Sequence, residues 1–194
     1  MASIEKGDVF VVWVDKSNIY FSSTHGSDIK FSIPIVLNSN ISNNTAPSSP
    51  QLAATEKGDV YVVRVEENNA TGASNIIFRA SNDNGNNFER SVRLNRNSNQ
   101  TFLSGSPLIA ATEKGKVFAI WPENSLRFKE IIDNRDILGR TISLGSDVVM
   151  PLSLQIDVSK SGNIYLAWAE KRSNANDDVV FVFKKISEFY FDRN

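Results

Sequence analysis

The sequence contains no cysteine, and His25 is the single histidine among its 194 residues. Disulfides, thiolate nucleophiles and cysteine-based metal sites are therefore excluded, and one imidazole cannot build a multi-histidine metal centre. We expect no cofactor and no metal. The chain also lacks a run of eighteen apolar residues, so we expect no membrane insertion. A formal net charge of −1 gives no electrostatic reason to expect nucleic acid as a partner.

The sequence also lacks a secretory signal at its N-terminus, because residues 1–6 contain no apolar segment of the required length. Four triplets of the glycosylation type, Asn-x-Ser/Thr, begin at Asn40, Asn43, Asn69 and Asn99. These triplets give slight support to an extracellular or cell-surface location. The compartment is otherwise left open.

An internal repeat is the strongest pattern that is present. Four similar segments, each a glycine followed by apolar residues, begin at Gly7, Gly58, Gly115 and Gly162, at intervals of 51, 57 and 47 residues. The pair Glu-Lys precedes the first three of these glycines. The sequence therefore consists of about four copies of one unit.

The parts of the chain around these segments repeat as well. Residues 50–55 match residues 107–112, and residues 19–38 align without a gap to residues 76–95. Each unit is thus four short strands joined by turns, which we name A, B, C and D in chain order. No stretch has sustained helical periodicity, so the chain is predicted to be all-β.

Four antiparallel strands that repeat at roughly 40–50 residues are typical of a β-propeller blade. The B strands are apolar on both faces, which fits a sheet packed between two neighbouring sheets. A β-sandwich is the alternative, but it does not explain a repeat of the whole four-stranded unit. We predict that residues 1–194 form a single β-propeller domain or a fragment of one, built from four-stranded antiparallel blades with units of about 1–46, 47–104, 105–150 and 151–194.

The two ends of the chain leave the ring incomplete in this prediction. The first unit begins at strand B, so its strand A is expected to be missing. In the last unit only residues 186–191 follow strand C, and they either form a fourth strand or fill the missing A position. The ring then closes within one chain, or further sequence or self-association completes it, since open sheet edges invite pairing.

One turn carries a recognisable motif, Ser81-Asn82-Asp83-Asn84-Gly85-Asn86-Asn87-Phe88. Its Asn and Asp side chains can bond nearby backbone, and glycine accepts a positive φ without steric cost. The motif resembles the Asp-box of BNR repeats, Ser/Thr-x-Asp-x-Gly-x-x-Trp/Phe, which forms the C–D turn of sialidase-like β-propellers. The resemblance implies a propeller fold and a structural role for its four motif residues, Ser81, Asp83, Gly85 and Phe88.

The same resemblance argues against catalysis. Active members of this family use three arginines, a tyrosine nucleophile with a glutamate partner and an aspartate, and carry the string Phe/Tyr-Arg-Ile-Pro. The similar string here, residues 31–34, lacks the arginine and lies at the start of a predicted D strand. We therefore assign no catalytic residue, and we expect the protein not to be an enzyme.

An acid follows every B strand at one fixed position, two residues after an aromatic residue or an arginine. Alternation along a strand places both side chains on one face, and the blade topology gathers the acids at the end opposite the Asp-box. Carboxylates beside indoles can bind a cation or a sugar. The candidate ligand-binding residues are Asp15, Glu66, Glu123, Glu170, Trp13, Trp121 and Trp168.

A purely structural interpretation of the same residues is also open. Each acid would cap its B–C turn, each tryptophan would pack between blades, and Arg64 would pair with Glu66. The predicted function is a non-catalytic, sialidase-like propeller that acts as a glycan- or protein-binding scaffold. The alternatives are a degenerate or partial exo-sialidase-like glycoside hydrolase, and a structural repeat that completes a larger ring by self-association.

Overall fold

The computed structural model describes residues 1–28, 30–38, 45–95, 105–123, 125–131, 138–144, 151–159, 161–171 and 179–186. These residues form strands and turns, and none of them forms a helix that could cross a membrane. The strands are β1 (Ala2–Ser3), β2 (Val9–Asp15), β3 (Asn18–Thr24), β4 (Ile35–Val36), β5 (Thr45–Ala54), β6 (Val60–Asn68), β7 (Ser74–Ser81), β8 (Val92–Arg93), β9 (Leu108–Ala111), β10 (Val117–Glu123), β11 (Ser125–Ile131), β12 (Leu138–Leu144), β13 (Pro151–Val158), β14 (Ile164–Lys171) and β15 (Val179–Ile186).

The strands form four antiparallel sheets in which sequence neighbours are always hydrogen-bonded neighbours. Sheet 1 contains β1–β4, sheet 2 contains β5–β8, sheet 3 contains β9–β12, and sheet 4 contains β13–β15. The first strands of sheets 2, 3 and 4 contact one another in sequence, and β5 also contacts β1 and β2. The prediction of an all-β chain built from repeated antiparallel sheets is confirmed, while the predicted unit boundaries stay a prediction.

The expectation that the first unit lacks strand A is wrong. Ala2 and Ser3 form β1, which pairs with Phe10 and Val9 of β2 and completes a four-stranded sheet. A strand of two residues carries too little alternation to be detected in a sequence. The predicted segment after strand C began at Ile186, but Ile186 is the last residue of β15 and pairs with Ile164. Residues 187–191 lie outside the described part of the chain, so their assignment as a fourth strand or as a ring closure stays a prediction.

The repeated Glu-Lys-Gly segments form the A–B turns. In all four turns the glycine N–H donates to the carbonyl three residues earlier, and the glycine φ lies between 81° and 90°. Glutamates bond successive turns to each other: the Glu5 N–H donates to the Glu56 carboxylate, and the Glu56 N–H donates to the Glu113 carboxylate at 3.0 Å. The glutamate is therefore repeated because it connects adjacent sheets at the A–B end.

The packing of the sheets explains why both faces of the B strands are apolar. We call the face of each sheet that is directed at the preceding sheet its upstream face, and the opposite one its downstream face. In β6, Val60 and Val62 are buried against sheet 1, while Tyr61, Val63 and Val65 are buried against sheet 3. Alternation along one strand thus supplies two separate cores.

Three apolar cores lie between successive sheets, one at each junction. An aromatic pair stacks on the downstream face of each of the first three sheets. The pairs are Phe10–Phe21, Tyr61–Phe78 and Phe118–Phe128, with ring centroids 6.3, 6.2 and 5.7 Å apart. The stability of this architecture is therefore concentrated at the sheet-to-sheet junctions.

A buried asparagine follows the last strand of sheets 1 and 2. The side-chain oxygen of Asn95 accepts from the Ile76 N–H at 2.9 Å, and its amide donates to the Ser74 carbonyl at 2.9 Å. Asn38 makes the same two bonds to the Ile19 N–H and the Ser17 carbonyl. Each asparagine therefore satisfies backbone groups at the start of strand C.

Candidate functional site

The B–C turns of all four sheets connect the second strand to the third, so the acids at the ends of the B strands share one end of the molecule, which we call the B–C end. Asp15 ends β2 and is exposed, whereas Glu66 in β6 and Glu123 at the end of β10 are half-buried. Glu170 lies in β14 opposite Pro151, and its side chain is outside the described part of the structure.

Arg64 binds the acid of sheet 2. Its guanidinium donates from Nη2 to Glu66 Oε1 at 2.6 Å, and the arginine side chain is 2% exposed. Within the described residues, Arg64 Nε and Nη1 have no hydrogen-bond partner. Arg64 occupies the position that an indole has in the other three sheets, and its bond to Glu66 holds that carboxylate in one orientation.

Trp121 binds the acid of sheet 3 in the corresponding way. Its indole Nε1 donates to Glu123 Oε2 at 2.8 Å, while the ring itself is packed in the core between sheets 2 and 3. Each of these two acids therefore accepts from the side chain two residues before it. The Arg64–Glu66 pair is the one that the structural interpretation of the sequence predicted. The Trp121–Glu123 bond was not predicted, although the fixed spacing of the two residues on one strand face is the signal for it.

The indoles differ in how far a ligand can reach them. Trp121 is 1% exposed and Trp168 is 5% exposed, because each packs in the core between its own sheet and the preceding one. The expectation that a ligand stacks on these two rings does not fit their burial. Trp13 is partly exposed, since it lies on the upstream face of sheet 1, and it stacks on Tyr20 with centroids 5.6 Å apart.

The A strands extend to the acids, which the sequence did not predict. In sheet 2 the expected strand, 50–55, is preceded by residues 45–48 that pair with the end of β6 and place Pro47 opposite Glu66. The register shifts between Ser48 and Gln51, where Ser49 has a φ of 49°. Sheet 4 repeats this irregularity.

In sheet 4 the register shifts between Leu152 and Gln155, and Ser153 has a φ of 55°. In both sheets the left-handed residue is a serine that lies two positions before a glutamine, and this shared pattern was the signal in the sequence for the register shift. Non-glycine residues in the left-handed region cost free energy and are concentrated at functional sites, as are bulges. Strained backbone therefore lies beside the row of acids in two sheets.

The Asp-box-like turn lies at the other end of sheet 2, where strand C meets strand D. Ser81 Oγ donates to Asp83 Oδ1 at 2.7 Å and accepts from the Gly85 N–H at 3.0 Å. The Asn87 N–H and side-chain amide both donate to Asp83, at 2.9 and 2.8 Å. Desolvation raises the pKa of Asp83, but these hydrogen bonds outweigh it and hold the pKa below its usual range.

This turn also packs on sheet 1. A Cβ at Gly85 would lie 2.4 Å from the Phe21 ring, and Phe88 contacts Phe21 edge-on at 4.9 Å. Arg79 donates to the carbonyls of Leu37, Phe88 and Glu89, so it ties the turn to both sheets. The contacts of the motif residues are thus internal to the fold.

No group of three or more His, Asp or Glu side chains within the described residues is arranged to hold a metal ion. Glu66 and Glu123 belong to different sheets, and each is bound by its own neighbouring donor. These two side chains are therefore separate, oriented hydrogen-bond acceptors.

Comparison with solved structures identifies the fold class of the chain. A Hadza microbial sialidase superposes with a TM-score of 0.60 at 9% identity over 96% of this chain and 43% of its own. A PL25 ulvan lyase gives 0.63 at 10% identity over 95% and 51%. The GH93 α-L-arabinofuranosidase of Fusarium graminearum, solved with arabinobiose, gives 0.62 at 11% identity over 95% and 60%.

These neighbours are β-propeller enzymes, and likeness at this identity shows the fold alone. The chain spans between 43% and 60% of the length of these three structures. No protein-family model and no curated protein sequence matches the chain. The Asp-box therefore stays a resemblance carried by the motif residues.

Proposed function

We propose that the protein is a non-catalytic glycan-binding module whose ligand contacts the B–C end. The observation that carries the proposal is the pair of oriented carboxylates, Glu66 held by Arg64 at 2.6 Å and Glu123 held by Trp121 at 2.8 Å. Both acids are half-buried at the shared end. Ordered acceptors of this kind bind sugar hydroxyls without first losing side-chain conformational entropy.

The chemistry of this end favours a neutral, hydroxyl-rich sugar over a sugar acid. Carboxylates accept hydrogen bonds from hydroxyl groups, and charge-assisted bonds are stronger than neutral ones. A sugar carboxylate would require accessible donors, and Arg64 is buried and already paired with Glu66. The exposed Asp15 adds a further acceptor from sheet 1.

The bulged A strands support this location of the site. Pro47 lies opposite Glu66, and the left-handed Ser49 follows it, so an irregular inner strand borders the acids. A strained inner strand beside charged side chains is a common arrangement at binding sites. The solved neighbour that contains arabinobiose makes a neutral pentose disaccharide a suitable first ligand to test.

Two observations support the absence of catalysis. The string at residues 31–34 lacks the arginine expected in an active sialidase. The guanidinium of Arg79 donates to three main-chain carbonyls and that of Arg64 to Glu66, so these two side chains are engaged within the fold.

The test is a calorimetric titration with arabinobiose and with sialyllactose, on the unmodified chain and on Glu66→Gln and Glu123→Gln variants. Loss of a charge-assisted bond costs about 1.5–3 kcal/mol, so each variant is expected to bind arabinobiose about ten- to a hundredfold more weakly. Glu113→Gln is the matched control, because Glu113 lies in an A–B turn at the opposite end and glutamine preserves its acceptor for the Glu56 N–H. Equal affinity in all variants, or preferred binding of the sialoside, would contradict the proposal.

A further inference from the structure

The downstream face of sheet 4 exposes large apolar side chains. Phe183 is 79% exposed, Phe181 is 72% exposed and Tyr165 is 43% exposed. The register places Ala167 opposite Phe183 and Ala169 opposite Phe181, so these side chains form one continuous surface across β14 and β15. Contiguous apolar surfaces of this kind mark interaction sites.

The repeat shows what normally covers this surface. The register of the strand pairs makes Phe183 equivalent to Phe21, Phe78 and Phe128. Those three rings are at most 1% exposed, because each is covered by the upstream face of the following sheet. The equivalents of Phe181 and Tyr165 are at most 3% exposed. They are Ile19, Ile76 and Leu126 for Phe181, and Phe10, Tyr61 and Phe118 for Tyr165.

The same chain carries an uncovered surface of the complementary type. Val9, Val11 and Trp13 form the upstream face of sheet 1, and all three are partly exposed. Their equivalents in sheets 2 and 3 are at most 2% exposed, because the preceding sheet covers them. These equivalents are Val60, Val62, Arg64, Val117, Ala119 and Trp121.

We propose that a second copy of this chain binds head to tail, with the upstream face of its sheet 1 on the downstream face of sheet 4. An open groove of about 610 Å³ lies on this face and is lined in part by Tyr165, Ala167, Phe183 and Lys185. The contact repeats the geometry of the three internal junctions. It is heterologous, so copies form a closed ring if the rotation closes and a longer assembly if it does not.

The mass in solution tests the inference directly. Light scattering across a concentration series is expected to show a species of at least two chains of 21.5 kDa each. Phe181→Lys with Phe183→Lys is expected to give a single chain, since charged side chains at the centre of an apolar interface raise the dissociation constant about a hundredfold or more. A single-chain mass for the unmodified protein at every concentration would overturn the proposal.

A mixing experiment tests the head-to-tail geometry and controls for misfolding. Val11→Lys disables the upstream face of sheet 1, whereas the double phenylalanine variant disables the downstream face of sheet 4. Each variant alone is expected to be a single chain with the circular dichroism spectrum of the unmodified protein, and their mixture is expected to form a 1:1 pair. No pair in the mixture, with both spectra unchanged, would refute the head-to-tail contact.

This inference does not depend on the proposed glycan site, because the two faces flank the row of sheets while the acids lie at the B–C end. Calorimetry with arabinobiose on the double phenylalanine variant tests the glycan site separately from the head-to-tail contact. Retained sugar affinity in a single chain would support two independent surfaces. A single-chain mass for the unmodified protein refutes the assembly and leaves the glycan site untouched.

Discussion

Replacing Gly85 by alanine tests whether the Asp-box-like turn of sheet 2 packs on sheet 1. Gly85 has a φ of 80°, and a Cβ added there would lie 2.4 Å from the Phe21 ring. Gly26 in the corresponding turn of sheet 1 has a φ of 57°, and an added Cβ would meet no atom within 4 Å. Both glycines therefore have a left-handed backbone, but an added Cβ would clash with a neighbouring side chain only at Gly85.

The expected loss of unfolding free energy in each variant follows from this difference. Left-handed backbone costs an alanine about 1–2 kcal/mol at either position. Overpacking adds about 1–3 kcal/mol at Gly85 alone, because Phe21 is 1% exposed and lies in the core between sheets 1 and 2. The change in unfolded-state entropy is the same for both substitutions and cancels. Gly85→Ala is thus expected to destabilise by about 2–5 kcal/mol, and Gly26→Ala by about 1–2 kcal/mol.

Urea denaturation monitored by tryptophan fluorescence measures both changes, provided that the dependence of the free energy on urea concentration is unchanged. Gly85→Ala with Phe21→Leu should recover part of the loss, because a smaller side chain makes room for the added methyl group. Equal destabilisation by the two alanine variants would refute the packing of this turn on the neighbouring sheet.

Three further predictions concern single side chains. Asn95→Ala leaves the Ile76 N–H and the Ser74 carbonyl unpaired, so the free energy of unfolding should fall by about 2–4 kcal/mol, against little change for the exposed Asn86→Ala. Burial, with Asp59 nearby, raises the pKa of Tyr61 to about 12, so the free energy of unfolding should fall as the pH rises from about 10 to 12. Absorbance titration of the unmodified chain against Tyr61→Phe shows the ionisation of this phenol. Hydrogen bonds hold the pKa of Asp83 below its usual range, so the stability that this carboxylate contributes should be complete above about pH 4 and lost on further acidification. If the difference in unfolding free energy between the unmodified chain and Asp83→Asn does not shrink in acid, this prediction is wrong.

The repeat made most of the fold predictable from the sequence. Continuous apolar runs in the B strands predict sheets that are covered on both faces, and the glycines after Glu-Lys predict the A–B turns. Strand β1 could not be foreseen, because two residues carry no periodicity. The extension of strand A to Thr45 was missed as well, since a register shift at Ser49 interrupts the alternation and looks like a loop in the sequence.

The candidate site was predictable in position and less so in detail. The spacing of each acid two residues after an indole or arginine placed both side chains on one face, and the structure joins them at Arg64–Glu66 and Trp121–Glu123. The burial of Trp121 and Trp168 depends on how sheets pack against each other, which one strand's sequence does not reveal. Trp121 therefore orients Glu123 from within the core, and this acid lies at the B–C end.

The most direct test of the proposed glycan binding is a saturation-transfer NMR measurement of arabinobiose with the unmodified protein, followed over time. It reports binding through transferred saturation and turnover through new anomeric signals in the same sample. A glycan-binding module without catalysis is expected to show transferred saturation that disappears in the Glu66→Gln, Glu123→Gln double variant, with no new anomeric signal. Undiminished transfer in that variant, or the steady growth of product signals with the unmodified chain, would contradict it.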